Sequence, residues 1–254
     1  MGEKTGIAWC DHTFNPWIGC TKVSAGCQNC YAARDNNRYQ WVKEWGKDYR
    51  LTADTNWKKP IQWAKQAVKD GVIRRVFCAS LADVFDANIG WEWRAKLYSL
   101  INETEKIGGL EWLILTKRPE NLKTMLPLMV ETFTNIRIGI TTENQEMFDK
   151  RMPIFLDAWK GKNFISVEPM LSGLNIETNL YADKIHWVIC GCESGSNARE
   201  CRIYWARDLR DQCNWYHIPF FLKQLMDDGE LIVKPTLDGQ QWLEFPEVAN
   251  ANIQ

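Results

Sequence analysis

The chain has 254 residues, of which 45% are hydrophobic and 25% are charged, and its formal net charge is −1. This composition is typical of a globular protein, and the near-neutral charge excludes an overall basic field that would attract nucleic acid. No apolar run approaches the roughly 18 residues that a membrane-spanning helix needs, and the first residues lack the apolar core of a signal peptide. We therefore expect a cytoplasmic protein without a membrane partner.

Three of the nine cysteines form the most informative motif of the chain. Cys20, Cys27 and Cys30 have the spacing C-x6-C-x2-C and lie in a turn-rich segment, 17–31, after a short strand predicted at about 14–18. Thiolates grouped this closely suit a soft metal. Three protein ligands leave one position open on zinc, and they leave one iron free on a [4Fe–4S] cluster. We predict an iron–sulfur cluster with an open iron.

Two other residues could close this site. Cys10, or alternatively His12, could join the three cysteines as a fourth ligand of a tetrahedral zinc ion. The protein would then be a zinc-stabilised binding module, and a cluster with Cys10 as its fourth ligand would have no open iron. The cysteines outside this region are predicted to be packed in the core, namely Cys78, Cys190, Cys201 and Cys213.

The rest of the chain is predicted to alternate between helices and strands. One helix runs from Tyr31 to about residue 45, and another is capped by Thr55-Asn56 and ends near Asp70-Gly71. Beyond Gly71, short apolar runs recur between helix-like segments. The predicted strands are 75–80, 112–117, 136–141, 164–169, 186–191 and 219–223, and the helices between them are 91–107, 145–156 and 206–217.

The strands indicate the fold class. Several are nearly continuous in apolar residues, as expected for strands buried on both faces of a parallel sheet. Polar residues end nearly every strand, and barrel enzymes build their sites from the carboxyl ends of many strands, whereas an open sheet gathers its ligand at one switch point. We predict an α/β fold, a partial (β/α) barrel of six to seven mostly parallel strands. It should form a single domain, 1–254, with a peripheral tail from about residue 235.

Longer motifs resemble a known family over about residues 6–225. The matching stretches are Phe14–Ser24, Ser80–Asp86, Leu115–Glu120, Gly139–Gln145, Ser166–Leu171, Gly191–Gly195, Arg207–Cys213 and Pro219–Gln224. They resemble the phage gene-product-37/gene-product-68 family, also called the three-Cys-motif family. That family is similar to radical S-adenosylmethionine (SAM) enzymes of the spore photoproduct lyase-like group. The common spacing in radical SAM enzymes is C-x3-C-x2-C, so the gap between Cys20 and Cys27 is longer.

The resemblance implies a [4Fe–4S] cluster on Cys20, Cys27 and Cys30, with SAM bound at the open iron. An electron from a donor such as flavodoxin or ferredoxin would cleave SAM to a 5′-deoxyadenosyl radical, which abstracts hydrogen from the substrate. Lys117 or Arg118 is predicted to bind the SAM carboxylate. The remaining predicted contacts to SAM are Glu143, Ser166, Glu168 and Glu193.

Cys192 is the predicted catalytic residue, as a hydrogen donor or redox partner. It stands where relatives often have the second glycine of Gly-Gly-Glu-Ser-Gly. The predicted function is a radical SAM enzyme, a lyase or a nucleic-acid modification or repair enzyme, with a DNA or nucleotide substrate.

The alternative is a nucleic-acid-binding protein stabilised by zinc or a cluster, without radical chemistry. Its basic side chains would contact phosphates while tryptophans stack on bases. The candidate groups are Lys58-Lys59, Arg74-Arg75, Lys117-Arg118 and the arginines of 199–210.

Overall fold

The computed structural model describes residues 5–127 and 132–247. Its strands are, in chain order, β1 His12–Thr13, β2 Trp17–Ile18, β3 Arg50–Leu51, β4 Arg74–Cys78, β5 Leu110–Thr116, β6 Ile136–Thr141, β7 Asn163–Val167, β8 Val188–Gly191, β9 Phe220–Asp227, β10 Glu230–Val233, β11 Thr236–Leu237 and β12 Gln240–Gln241. The helices are α1 Tyr31–Tyr39, α2 Asp54–Trp57, α3 Lys59–Asp70, α4 Trp91–Ile107, α5 Leu122–Met125, α6 Gln145–Ala158 and α7 Ile203–Trp215.

Eight strands form one sheet that curls into a half-barrel, in the order β1-β4-β5-β6-β7-β8-β9-β10. All neighbours pair in parallel except β9 and β10, which are antiparallel. The prediction of a mostly parallel partial α/β barrel is confirmed, and the sheet has eight strands rather than six to seven. The additional strand is β10. It follows a two-residue turn at Asp228-Gly229, where both φ angles are positive, as type I′ hairpins require.

The first strand of the sheet is not the predicted one at 14–18. β1 pairs with β4, whereas β2 pairs with β3 in a separate two-stranded antiparallel sheet. The chain leaves the main sheet after Phe14, whose N–H still donates to Phe77 O over 2.9 Å. The Asn15 side chain then accepts a hydrogen bond from Leu81 N, and Pro16 has no N–H to offer a ladder. These two residues turn the chain out towards the cysteine segment.

The long helices agree closely with the predictions. α4 has the predicted bounds, α6 extends two residues further than predicted, and α7 begins at Ile203. α1 stops at Tyr39, short of residue 45, because Gln40 adopts a left-handed conformation with φ of 49°. Thr55-Asn56 lies inside α2 and does not cap it. Gly71, with φ of 66°, ends α3 where predicted.

The core divides into two layers on either face of the sheet. The larger layer packs the helices against the sheet and contains the four cysteines predicted to be packed, all of which are buried. The smaller layer contains no helical residue, so it lies on the face turned away from the helices. This smaller layer consists of Trp9, Phe77, Leu113, Phe164, Trp187, Ile189 and Phe221. It fills the half-barrel with packed rings, of which Trp9 and Phe77 are 4.5 Å apart.

The tail from about residue 235 contacts both sides of the half-barrel. β11 and β12 form a hairpin in which Leu237 is buried. Beyond the hairpin, Leu222 N donates to Trp242 O over 2.8 Å, and Arg75 Nη2 donates to Pro246 O over 3.3 Å. Segment 242–246 therefore links β9 to β4. No described helix is both long and apolar enough to cross a bilayer.

Candidate functional site

A cavity of about 440 Å³ opens at the carboxyl ends of the parallel strands. Its size is in the range of sites for small ligands. Trp9, Phe77 and Leu115 supply apolar lining from inside the half-barrel. The predicted site residues that line the cavity are Cys20, Cys27, Cys30, Lys117, Arg118, Ser166, Glu168, Cys192 and Glu193. The structure thus brings together nine of the ten predicted side chains, and the tenth, Glu143, lies behind the cysteine loop.

The cysteine loop, residues 19–30, joins β2 to α1. Its three thiols are free and half-buried. Within residues 5–127 and 132–247, no three His, Cys, Asp or Glu side chains are already gathered around one metal position. A [4Fe–4S] cluster does not demand such convergence, because each thiolate ligates a different iron.

Arg118, directly after β5, anchors the beginning of the loop. Its guanidinium bonds Asp83 over 2.8 Å, Asp86 over 3.1 Å and the Thr21 carbonyl oxygen over 2.7 Å. Its Nη1 also lies 3.7 Å from Cys20 Sγ. All five residues belong to one network, in which the Arg118 and both Asp side chains are at least nine-tenths buried. Arg118 thus holds the first cysteine against the sheet.

The ionisation of Cys20 follows from this environment. Burial and the nearby Asp83 carboxylate raise the pKa of the thiol to about 12, although Arg118 opposes them. Without a metal the side chain is a neutral thiol at pH 7. Metal binding would therefore release a proton from Cys20.

Glu143, after β6, supports the loop from behind. Its carboxylate accepts a hydrogen bond from Gly26 N over 3.2 Å and pairs with Arg151 over 2.6 Å. A Cβ at Gly26 would lie only 3.0 Å from a Glu143 oxygen, so the close approach depends on the glycine. Burial raises the pKa of Glu143, but the paired Arg151 guanidinium contributes to an opposing effect that leaves the pKa below its usual value.

Glu193, after β8, fixes the stretch between the second and third cysteines. Its carboxylate accepts from Asn29 Nδ2 over 2.9 Å and pairs with Arg199 over 2.5 Å. Arg199 in turn donates to Ala25 O over 3.0 Å. Three successive parts of the loop are therefore bound to the ends of three different strands, β5, β6 and β8.

The cavity also presents polar groups that form no hydrogen bond to the loop in the described structure. Glu168, directly after β7, forms a direct ion pair with Lys223 in β9, and both line the cavity. Lys117 also lines it and forms no ion pair within the described part of the chain. Thr141 is fully buried, and its Oγ1 lacks a hydrogen-bond partner among the described residues. A ligand in the cavity would meet these groups together with Ser166.

Cys192 lines the same cavity as a neutral thiol. Burial, reinforced by Cys201 and Glu168, raises its pKa to about 12. The backbone on either side is held by Gln224, whose carbonyl oxygen accepts from Cys192 N and whose amide donates to Cys192 O. The sulfur therefore carries its hydrogen at neutral pH and faces the cavity from a fixed backbone.

Several functional side chains were not predicted from the sequence. Asn29 and Arg151 gave no signal, because each acts through a partner distant in sequence. Arg199 was predicted to contact phosphates and instead binds Glu193 and the loop. Lys223 and Thr141 belong to the pattern of polar strand ends in the sequence, but no role at the site was predicted for them.

Cys10 and His12 lie away from the cavity. Cys10 packs with Ile7 and the apolar layer of the half-barrel, and burial raises its pKa to about 12. The His12 ring stacks on Trp63 at 4.3 Å. Neither is among the described lining residues. The geometry therefore gives no support to a fourth ligand from either residue.

The arginines proposed to contact phosphates are largely neutralised. Each of seven pairs with a carboxylate, namely Arg74, Arg75, Arg118, Arg199, Arg202, Arg207 and Arg210. A nucleic-acid backbone would have to compete with these carboxylates for each guanidinium. These arginines therefore do not form an open basic groove.

The chain belongs to the family described as protein of unknown function (DUF5131), whose model matches residues 4–246. No curated protein and no solved structure matches it.

Proposed function

We propose that this DUF5131 family member is a radical SAM enzyme in which Cys20, Cys27 and Cys30 hold a [4Fe–4S] cluster. The observation that carries the proposal is that the three half-buried thiols line the same cavity as the polar ends of β5, β7 and β8. The motif resemblance to radical SAM enzymes supports it. With SAM, the cluster would supply one-electron chemistry that removes a hydrogen atom from a substrate.

The loop is suited to holding such a cluster in place. Its side-chain and backbone bonds to Arg118, Glu143 and Glu193 fix it at three points, which limits the motion of the segment that carries the thiols. Arg118 Nη1, 3.7 Å from Cys20 Sγ, would stabilise the thiolate form of this ligand by charge and hydrogen bonding. In this proposal Arg118, Glu143 and Glu193 are positioning residues.

The polar groups of the cavity that the loop does not use are assigned to SAM binding. Lys117, whose ammonium group has no carboxylate partner in the described structure, would bind the SAM carboxylate. Glu168, paired with Lys223, would accept hydrogen bonds from the SAM ammonium or ribose. Ser166 offers a further hydroxyl in the same cavity.

Cys192 is assigned as the hydrogen donor of the reaction. Its thiol is neutral because of the raised pKa, and it lines the cavity. A sulfhydryl hydrogen atom would be transferred to a substrate radical, and the Cys192 thiyl radical left behind would take one electron from the flavodoxin- or ferredoxin-like donor and one proton to return to the thiol. The Cys192→Ala variant should still cleave SAM and should accumulate less of the final product.

The substrate class proposed is a nucleotide or nucleic acid. Trp9 and Phe77 give the cavity an aromatic surface on which a planar base could stack. Because the arginines are already paired with carboxylates, we propose a nucleotide as the substrate in preference to a nucleic acid with a long phosphate backbone. The location proposed is the cytoplasm, where thiols stay reduced.

The test is the formation of 5′-deoxyadenosine. Chain with a reconstituted cluster is incubated anaerobically with SAM and dithionite, which replaces a flavodoxin- or ferredoxin-like donor. Wild type and Cys10→Ala should form the nucleoside, and Cys27→Ala should not. A fully loaded cluster that yields none would overturn the proposal.

A further inference from the structure

The strand at the end of the sheet, β10, presents an exposed apolar edge. It is the last strand in the sheet order, and each of its four residues is exposed. Leu231, Ile232 and Val233 are 38%, 38% and 53% exposed. An exposed apolar edge strand is a template for pairing with another strand.

The hairpin register shows which backbone groups point outward. Lys234 N donates to Lys223 O over 2.8 Å, so Lys234 faces β9. Hydrogen-bonded positions alternate along an antiparallel strand, so Ile232 and Glu230 also face β9. The N–H and C=O groups of Leu231 and Val233 therefore point away from the sheet and are available to a further strand.

We propose that two copies of the chain associate by antiparallel pairing of β10 with β10, about a two-fold axis at Ile232. In this register Leu231 of one copy lies opposite Val233 of the other. Both are outward-facing positions, so each such pair exchanges two N–H···O=C hydrogen bonds. The two Ile232 side chains meet at the axis, where opposed β-branched residues pack well.

The charged residues at the two ends of β10 favour this register. Pairing about Ile232 places Glu230 of each copy opposite Lys234 of the other. Both side chains are exposed, and neither forms an ion pair within the described part of the chain. A two-fold axis at Leu231 would oppose Glu230 to Ile232, and one at Val233 would oppose Lys234 to Ile232, so only the axis at Ile232 pairs Glu230 with Lys234.

The interface is short and therefore reversible. A four-residue strand buries less area than the roughly 800 Å² per partner of standard interfaces. The dimer should form and dissociate with concentration, joining two eight-stranded sheets edge to edge.

Sedimentation velocity of the full chain over a wide concentration range tests the proposal. Wild type should convert reversibly from monomer to dimer. Glu230→Lys or Lys234→Glu alone opposes like charges twice per dimer and should raise the dissociation constant roughly tenfold. The double variant, with both charges exchanged, should restore the wild-type value, and Lys43→Glu, an exposed charge elsewhere, should leave it unchanged.

Three results would overturn the proposal. Wild type could remain monomeric at every concentration, or the double variant could fail to restore association. Alternatively, Ile232→Lys, which opposes two ammonium groups at the axis, could dimerise as well as wild type. Circular dichroism and thermal melts of each variant show whether it is folded, so a folding defect cannot stand in for lost pairing.

Discussion

The Arg118 side chain makes five hydrogen bonds at the candidate site. It joins the carboxylates of Asp83 and Asp86 to the Thr21 carbonyl and approaches Cys20 Sγ. The two carboxylates are buried, so they depend on this guanidinium for compensation of their charge. The first cysteine is consequently held by the same contacts that stabilise the buried charges.

Replacing Arg118 should therefore destabilise the fold as well as the loop. Arg118→Met leaves Asp83 and Asp86 buried without their cation, and the unfolding free energy should fall by about 3–5 kcal/mol. Urea denaturation measures this. The control is Arg202→Met, which removes an exposed arginine paired with Glu200 and should change little. A loss of less than about 1 kcal/mol for Arg118→Met would contradict the network.

Glu143 should make stability depend on pH. Its pKa lies below the ordinary value of 4.5, so the folded chain binds this proton more weakly than the unfolded chain. The stability that ionised Glu143 contributes is complete above its pKa in the unfolded chain. It is lost as pH falls through its lower pKa in the folded chain. Denaturation of wild type and Glu143→Gln from about pH 7 to pH 3 should show the stability difference shrinking on acidification. A difference that stays constant with pH would contradict this role.

A site residue could be predicted where the sequence pattern that identifies it lies within one short segment. The C-x6-C-x2-C motif lies within one loop, so spacing alone identified Cys20, Cys27 and Cys30. The role of Arg118 rests on a contact to Cys20, which lies 98 positions away in the chain, and the role of Glu143 rests on a contact to Gly26, which lies 117 positions away. Their strand-end positions indicated the cavity, but no sequence pattern shows that their charges bind the loop.

At the scale of elements, the cysteine loop owes its conformation to side chains of other elements. Arg199 contributes bonds to Ala25 O and to Glu193, which holds Asn29. Arg199→Leu should free this part of the loop and expose Cys27. In the reduced, metal-free chain, alkylation of Cys27 by iodoacetamide should become several-fold faster, as followed by mass spectrometry.

The comparison for that experiment is Arg202→Leu. This variant removes a nearby arginine that pairs with Glu200 and forms no hydrogen bond or ion pair with the loop within the described residues. It should leave the rate of Cys27 alkylation at the wild-type value. Equal rates in wild type and Arg199→Leu would show that the loop does not depend on Arg199.

Gly139 in β6 is required by the aromatic filling of the half-barrel. A Cβ at this position would lie 2.4 Å from the ring of Phe164, which is fully buried. Gly139→Ala should lower the unfolding free energy by about 1–3 kcal/mol, because the packed ring has no space to move. Gly6→Ala is the control, since no atom lies within 4 Å of its new Cβ. Equal stability of the two variants in denaturant would contradict the packing.

The bounds of helices and strands were predicted best where the periodicity of apolar residues and the residues typical of helix or strand ends agree. β6 and α4 have the predicted bounds, because the first has isoleucine at every second position and the second begins and ends at glycines. β1 was missed because it has only two residues. Its place in the sheet depends on pairing with β4, more than 60 residues away, and not on local pattern.

At the scale of the molecule, the sequence predicted the fold class from the repeated alternation of strand and helix. The eighth strand was not predicted, although Asp228-Gly229 is a hairpin signal. The path of the tail could not be predicted, because segment 242–246 is held by contacts to β4 and β9 that are remote in sequence. The alternation of strands and helices in the half-barrel could therefore be predicted from the sequence. The contacts between segment 242–246 and the sheet are defined only by the structure.

The most direct test of the central claim is to identify which cysteines retain the metal. Iron, sulfide and zinc are measured in anaerobically reconstituted wild type and in single alanine variants of Cys10, Cys20, Cys27 and Cys30. Wild type and Cys10→Ala should bind about four irons and four sulfides per chain, as a [4Fe–4S] cluster requires, and the other three variants should lose them. Stoichiometric zinc without sulfide, or a cluster that needs Cys10, would contradict a three-cysteine site with an open iron.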